Sequence, residues 1–183
     1  ENTALKVIHD IWKSLDCVFE DLSNKREVKF SDKIDGLKAS TFVQENCPED
    51  LALKKEIISE LEQIVSDEAI IASSTSSFLP SELQMGCFQP ERVIVGHPMN
   101  PPHLIPIVEI VLGKVANQEI AHRAECFYNS VRRIPIRIKK EMRGHLANRL
   151  TSALYREAVY LVSEGVADVA DVDTVVSNGP GLR

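Results

Sequence analysis

The 183-residue chain is poor in the features that mark several whole classes of protein. No run approaches the ~18 consecutive apolar residues of a membrane span. No basic segment followed by an apolar one opens the chain, so no secretory leader is expected. Glycine (8) and proline (9) are too few for a collagen-like or low-complexity chain. There are four cysteines, Cys17, Cys47, Cys87 and Cys126, and no two form a CxxC pair. Zinc and thioredoxin-type chemistry are therefore not expected, and the thiols read as reduced packing residues of a cytoplasmic protein. Positive charge is also short, with 21 Lys and Arg against 27 Asp and Glu and a net charge of −6. That argues against nucleic acid as a main partner, though a local patch for one phosphate group remains compatible. Neither GxGxxG nor a P-loop motif occurs, and the one Gly-x-Gly, Gly179-Pro180-Gly181, does not open a helix after a strand.

What is present is the composition of a globular chain, 44% hydrophobic and 26% charged. Leu5, Ile8, Trp12, Leu15, Phe19 and Leu22 step by three and four, which predicts a helix with one buried stripe. Residues 23–40 are polar and without period. Thr41–Glu45 then reads as a strand. Pro48, Glu49 and Asp50 read as the start of a helix that buries Ile57, Ile58, Leu61, Ile64 and Val65. Further strands are predicted at Ala69–Ala72, Arg92–Gly96, Ile107–Val111 and Ile134–Ile138. A helix burying Ile120, Ala124, Phe127, Tyr128 and Val131 lies between the last two. Alternating short apolar strands and helices imply an α/β fold with a mostly parallel sheet. Beyond Glu141 the pattern turns helical. Leu146, Leu150, Leu154, Ala158 and Leu161 mark a long helix stopping near Gly165, and a shorter one spans about Asp168–Val176. Two domains follow, residues 1–140 and 141–183.

Ligands of such sheets bind beyond the carboxyl ends of the strands. Three polar clusters fall there: Glu45–Asp50, Ser73–Ser77 and His97–His103. His97 directly follows a predicted strand. Glu109, twelve positions on, sits between Val108 and Ile110. A carboxylate in an apolar strand needs a partner, and an imidazole held in one tautomer by a carboxylate is the form of a general base. The alternative places Glu109 in solvent and makes His97 a turn cap. The Ser73–Ser77 run can bind a ligand's hydroxyl or phosphate, or cap the helix entered at Pro80. Asn148 reads as a polar contact at the domain junction or as a solvent-facing residue. His9, His122 and His145 read as surface residues. No GxSxG elbow supports serine-hydrolase chemistry.

Taken in order, Glu45…Pro48-Glu49-Asp50-Leu51…Lys54, Ala72–Ser77, Gly96-His97-Pro98-Met99-Asn100-Pro101, Leu104–Glu109, Lys140-Glu141 and Gly144…Asn148-Arg149-Leu150 resemble the L-3-hydroxyacyl-CoA dehydrogenases. The similarity is nearest to the branch containing L-carnitine dehydrogenase and λ-crystallin, an L-gulonate dehydrogenase. The resemblance implies an incomplete Rossmann-type domain followed by the start of an all-helical domain that dimerises in the full-length protein. It implies NAD as cofactor, with Glu49, Lys54, Ser74 and Asn100 contacting it. His97 would be the catalytic base and Glu109 its partner, with Ser76 and Asn148 holding the substrate oxygen. Arg183 or Arg149 is a candidate for the substrate carboxylate. The implied reaction oxidises the 3-hydroxyl of an L-3-hydroxyacyl-CoA or related 3-hydroxy acid to the 3-keto product. Two alternatives stay open: a dehydrogenase of a small free acid such as carnitine or gulonate, and a non-catalytic crystallin-like relative. The family's first strand and glycine loop would precede Glu1. The chain is therefore expected to be an internal piece, inactive by itself and without tight NAD binding.

Overall fold

A computed structural model describes residues 6, 7, 10, 11, 29, 31–115 and 117–182. The apolar stripe predicted for the opening helix, Leu5 to Leu22, and Arg183 lie outside the described residues. The chain divides into two compact units meeting between Arg143 and Gly144.

The first unit is a five-stranded sheet in the order β1 (Phe42–Glu45), β2 (Ile70–Ser73), β3 (Val93–Pro98), β4 (Ile107–Val111), β5 (Ile134–Ile138). All neighbours are parallel except β3 and β4, which run antiparallel. Connections explain this mixture. Helix α1 (Leu51–Ile64) and helix α3 (Gln118–Ser130) carry parallel crossovers, which need a dozen or more residues. The loop 99–106 between β3 and β4 is too short for a crossover and turns the chain back instead. A four-residue helix α2 (Pro80–Leu83) follows β2.

Period-two alternation sends side chains to two apolar layers. Val43, Ile71, Val93, Val95 and Val111 pack with Ile58, Leu61 and Val65 of the α1 segment. Ile70, Ala72, Ile94, Val108 and Ile110 pack with Ile120, Ala124 and Tyr128 of α3 on the other face. Burying each large aliphatic side chain contributes about 1.5–3 kcal/mol.

Several local expectations change. Asp50, not Pro48, begins α1: its carboxylate accepts from the Leu53 N–H at 2.9 Å. Pro48 lies outside the helix because the better cap wins. The α1 face also buries Lys54 and Glu62, which an apolar-stripe reading passes over. Strand β3 runs two residues past Gly96, so His97 and Pro98 lie within it; pairing with β4 extends the strand. Val131 is 41% exposed, since α3 ends at Ser130.

The second unit holds α4 (Ala147–Ser163) and α5 (Val169–Asn178). Gly165, at φ +69°, ends the α4 segment; its N–H donates to Val162 O and the next N–H donates to Leu161 O, each at 3.0 Å. The apolar stripe of the long helix is largely open: Leu150 is 63% and Leu154 40% exposed, and neither helix has a buried residue. No described helix is long and apolar enough to cross a membrane.

Candidate active site

The antiparallel pairing of β3 with β4 sets His97 opposite Glu109 in register. Both side chains are buried, and His97 Nδ1 lies 2.8 Å from Glu109 Oε2. A carboxylate can only accept, so Nδ1 carries the proton, and in the neutral form of the ring the lone pair is on Nε2. The solvent-facing alternative for Glu109 does not describe this arrangement. Cross-strand register is what brings two residues twelve positions apart into contact.

A second buried carboxylate lies at the end of β1. Glu45 receives Lys54 Nζ at 3.0 and 3.2 Å, the Ser73 hydroxyl at 2.5 Å and the Cys47 N–H. Lys54 completes its donors with Cys47 O at 2.9 Å and approaches Glu49 at 3.4 Å. Lys54 is 1% exposed, so its ammonium is taken up by protein groups. Burial, and next the neighbouring Glu45, push the Cys47 thiol up.

Glu49 organises the serine run. Its Oε1 accepts from the N–H groups of Ser76 and Ser77 at 3.1 Å and from the hydroxyls of Thr75 and Ser77 at 2.5 Å. Burial pushes this carboxyl up, but the bonds from Ser77 and Thr75 and the charge of Lys54 outweigh it, and the net shift is downward. The run therefore does not cap α2. The N-cap of that helix is Leu79, whose N–H donates to Glu82 at 2.8 Å. Ser74 Oγ accepts from Gln44 Nε2 at 2.7 Å and donates to Asn46 at 2.6 Å. Ser76 is half-buried in the loop beyond β2, and Asn100 is exposed in the loop beyond β3. Asn148 stands on the first turn of α4 in the second unit, half-buried.

His145 corrects an expectation: it is 2% exposed, not a surface residue. Its backbone is left-handed, at φ +47°, just after Gly144 at φ +75°. His122 is exposed as expected. No group of three His, Cys, Asp or Glu suited to a metal occurs among the described residues.

Exposed or half-exposed hydrogen-bonding groups line the carboxyl ends of β1 to β3: Asn46, Ser76, Ser77 and Asn100. Each of these side chains can donate or accept a hydrogen bond. No Gly-x-Gly turn joins strand to helix among the described residues, so the pyrophosphate cradle is not among them.

A mostly parallel sheet with a helix packed on each face is the architecture of a Rossmann-type nucleotide-binding domain. Residues 13–142 match the family model for the NAD binding domain of 3-hydroxyacyl-CoA dehydrogenase, and residues 144–183 match its C-terminal domain. The chain belongs to the 3-hydroxyacyl-CoA dehydrogenase family. An L-carnitine dehydrogenase of Bacillus cereus is 48% identical over 142 residues, 78% of this chain and 44% of that protein. One from Oceanobacillus iheyensis is 38% identical over 98% of this chain and 59% of its own length. Among solved structures, an NAD+-dependent pyridine-carboxylate 5-dehydrogenase superposes with TM-score 0.86 at 31% identity, covering 99% of this chain and 59% of that one. The (S)-3-hydroxybutyryl-CoA dehydrogenase of Ralstonia eutropha gives 0.81 at 26%, covering 97% and 65%. The chain thus spans about half the length of the curated relatives it matches.

Proposed function

We propose that the protein is an NAD-dependent dehydrogenase that oxidises the 3-hydroxyl of an L-3-hydroxyacyl-CoA or related 3-hydroxy acid to the 3-keto product. The observation that carries this is the His97–Glu109 pair. With Nδ1 held by Glu109, His97 takes the hydroxyl proton at Nε2. Glu109 then stabilises the imidazolium by a charge-assisted hydrogen bond. Ser76 and Asn148 are read as donors to the substrate oxygen. Ser74, Glu49, Lys54 and Asn100 are read as the cofactor's neighbours, Lys54 acting through Glu45 and Glu49. NAD, when bound, supplies the hydride acceptor.

Within this class a small free acid of the carnitine kind is the second reading, supported by L-carnitine dehydrogenases at 38–48% identity. Arg183 remains a candidate for its carboxylate. A cytoplasmic homodimer belongs to the same reading, with fatty acid metabolism as the setting if the substrate is a thioester. The exposed apolar residues Leu150, Leu154, Tyr155 and Val159 suit a subunit contact.

The test follows NADH at 340 nm with carnitine, gulonate and 3-hydroxybutyryl-CoA, for the full-length protein and for its His97→Gln variant. A loss in kcat of roughly 10²–10⁴-fold is expected for the variant. Near-unaltered kcat would remove His97 from the role of base, and no turnover of any 3-hydroxy compound would favour the crystallin-like alternative.

A further inference from the structure

Behind His97, on the opposite face of the sheet, lies a polar chain inside an apolar layer. Tyr128 of α3 donates its hydroxyl to Gln44 Oε1 at 2.6 Å. Gln44 Nε2 donates to the Gly96 carbonyl at 2.9 Å and to Ser74 Oγ at 2.7 Å. Ser74 in turn donates to Asn46. The amide orientation follows from the partners: the Gly96 carbonyl only accepts, so nitrogen must face it and oxygen must face the phenol.

This chain acts on one peptide plane. The Gly96 carbonyl belongs to the same peptide as the His97 N–H, so holding that oxygen sets the direction in which His97 leaves the strand. The β2 ladder ends where Ser73 pairs with Val95. Gly96 is therefore the first residue past it, and Gln44 reaches over from β1 to supply a donor there. The arrangement also dictates the glycine. A Cβ at position 96 would lie 2.0 Å from the Tyr128 oxygen and 3.2 Å from Ala72 Cβ.

Tyr128 is itself fixed. Its ring meets Phe42 and Phe127 edge-on, with centroids 5.3 and 5.5 Å away, and those two rings stack at 3.8 Å. Burial pushes the phenol's ionisation up, so it remains a donor at working pH. The ring would pack without its hydroxyl; the hydroxyl's contribution here is its bond to Gln44. His97 is thus held twice: at its ring by Glu109, and at its backbone through Gly96.

We propose that Gln44 and Tyr128 are positioning residues for His97, acting through the Gly96 carbonyl. This rests on the dehydrogenase reading above. Two variants separate packing from positioning. Tyr128→Phe keeps the aromatic contacts and removes the donor to Gln44. Gln44→Glu keeps the acceptor for Tyr128 but sets a carboxylate oxygen against the Gly96 carbonyl. The readouts are ring spectra of the protein labelled at histidine and steady-state kinetics. The His97 cross-peak should move in both variants, further in Gln44→Glu, while the His122 peak stays in place. The kcat should fall on the order of 10- to 100-fold with KM little changed, as misplacement of a reacting group by up to an ångström predicts. An unmoved His97 peak with unaltered kcat in a folded variant overturns the proposal, as does a loss confined to thermal stability. If Tyr128→Phe does not fold, Gln44→Met, which keeps the chain length and loses every donor, decides by the same measurements. A full-length protein with no turnover before mutation sinks the dehydrogenase reading, while the histidine spectrum still reports whether Gln44 and Tyr128 position the ring.

Discussion

Glu109 stands directly across the β3–β4 pair from His97, its Oε2 2.8 Å from the ring Nδ1. That contact fixes which ring nitrogen carries the proton, so replacing Glu109 should damage chemistry more than binding. For Glu109→Gln, the amide can present either its oxygen or its nitrogen to Nδ1, and the productive tautomer is no longer enforced. The expected fall in kcat is on the order of 10²- to 10⁴-fold, with KM little changed. Combining it with His97→Gln should cost little beyond His97→Gln alone, because the two act as a unit. Full additivity in steady-state kinetics would contradict the pairing.

The Glu45–Lys54 pair makes a prediction about stability. Both side chains are almost wholly out of water, and Glu45 also serves Ser73 and the Cys47 N–H. Lys54→Met leaves a buried carboxylate without its counter-charge and should destabilise by about 3–5 kcal/mol. Adding Glu45→Gln should recover part of that loss, since the orphaned charge is gone. Urea unfolding checks both through the midpoint at constant slope. A single variant as stable as the parent would show that water reaches this pair.

The strands are legible in the sequence because short apolar runs between turn residues leave little choice, and the His97–Glu109 pair because a lone carboxylate among Val108 and Ile110 needs an explanation. The turn of loop 99–106 is not legible as antiparallel, since chain direction depends on how loop length meets the sheet. Gln44 and Tyr128 are hidden for another reason. Tyr128 sits at a regular position of an apolar helical stripe, and nothing local tells whether its hydroxyl meets solvent or a partner. Gly96 holds the only signal: a glycine inside a β-branched strand often marks close approach of another group. His145 escapes a periodicity reading because it lies in a left-handed turn, outside any helical repeat. Lys54 and Glu62 escape it because an apolar stripe takes no account of paired charges.

Glu49 gives the pH dependence. Its carboxyl titrates below the usual value in the folded chain because the loop's hydrogen bonds prefer the charged form. Stability from a depressed carboxyl is present above the unfolded value, near 4.3, and is lost as pH falls through the lower folded value. Glu49→Gln should therefore be less stable than the parent at pH 7, with the gap closing as pH drops below about 4.5. Urea midpoints measured at intervals from about pH 7 to about pH 3 would show it. A gap that widens on acidification has the wrong sign and would mean that the bonds from Thr75, Ser76 and Ser77 to this carboxylate are not what Glu49 contributes.

Cysteine reactivity tests the packing beneath α2. Burial, and next the adjacent Glu62 carboxylate, push the Cys87 thiol up to about 11, and its Sγ–H is directed to Leu83 O at 3.4 Å. Cys126 is exposed on α3. Alkylation proceeds through the thiolate, so at pH 8 only about one Cys87 in a thousand is reactive at any moment. Cys126 should label first and Cys87 last among the described cysteines, with Cys47 also slow because its thiol is raised. Peptide mass mapping after timed iodoacetamide quenches gives the order. Glu62→Gln should speed Cys87, because it removes the carboxylate's share of the shift and leaves burial in place. If Cys87 labels as fast as Cys126 in the parent, the segment from Leu83 to Gln89 is not held against α1. The bonds from the Phe88 and Gln89 N–H groups to Glu62, at 3.0 and 2.9 Å, would then not persist in solution.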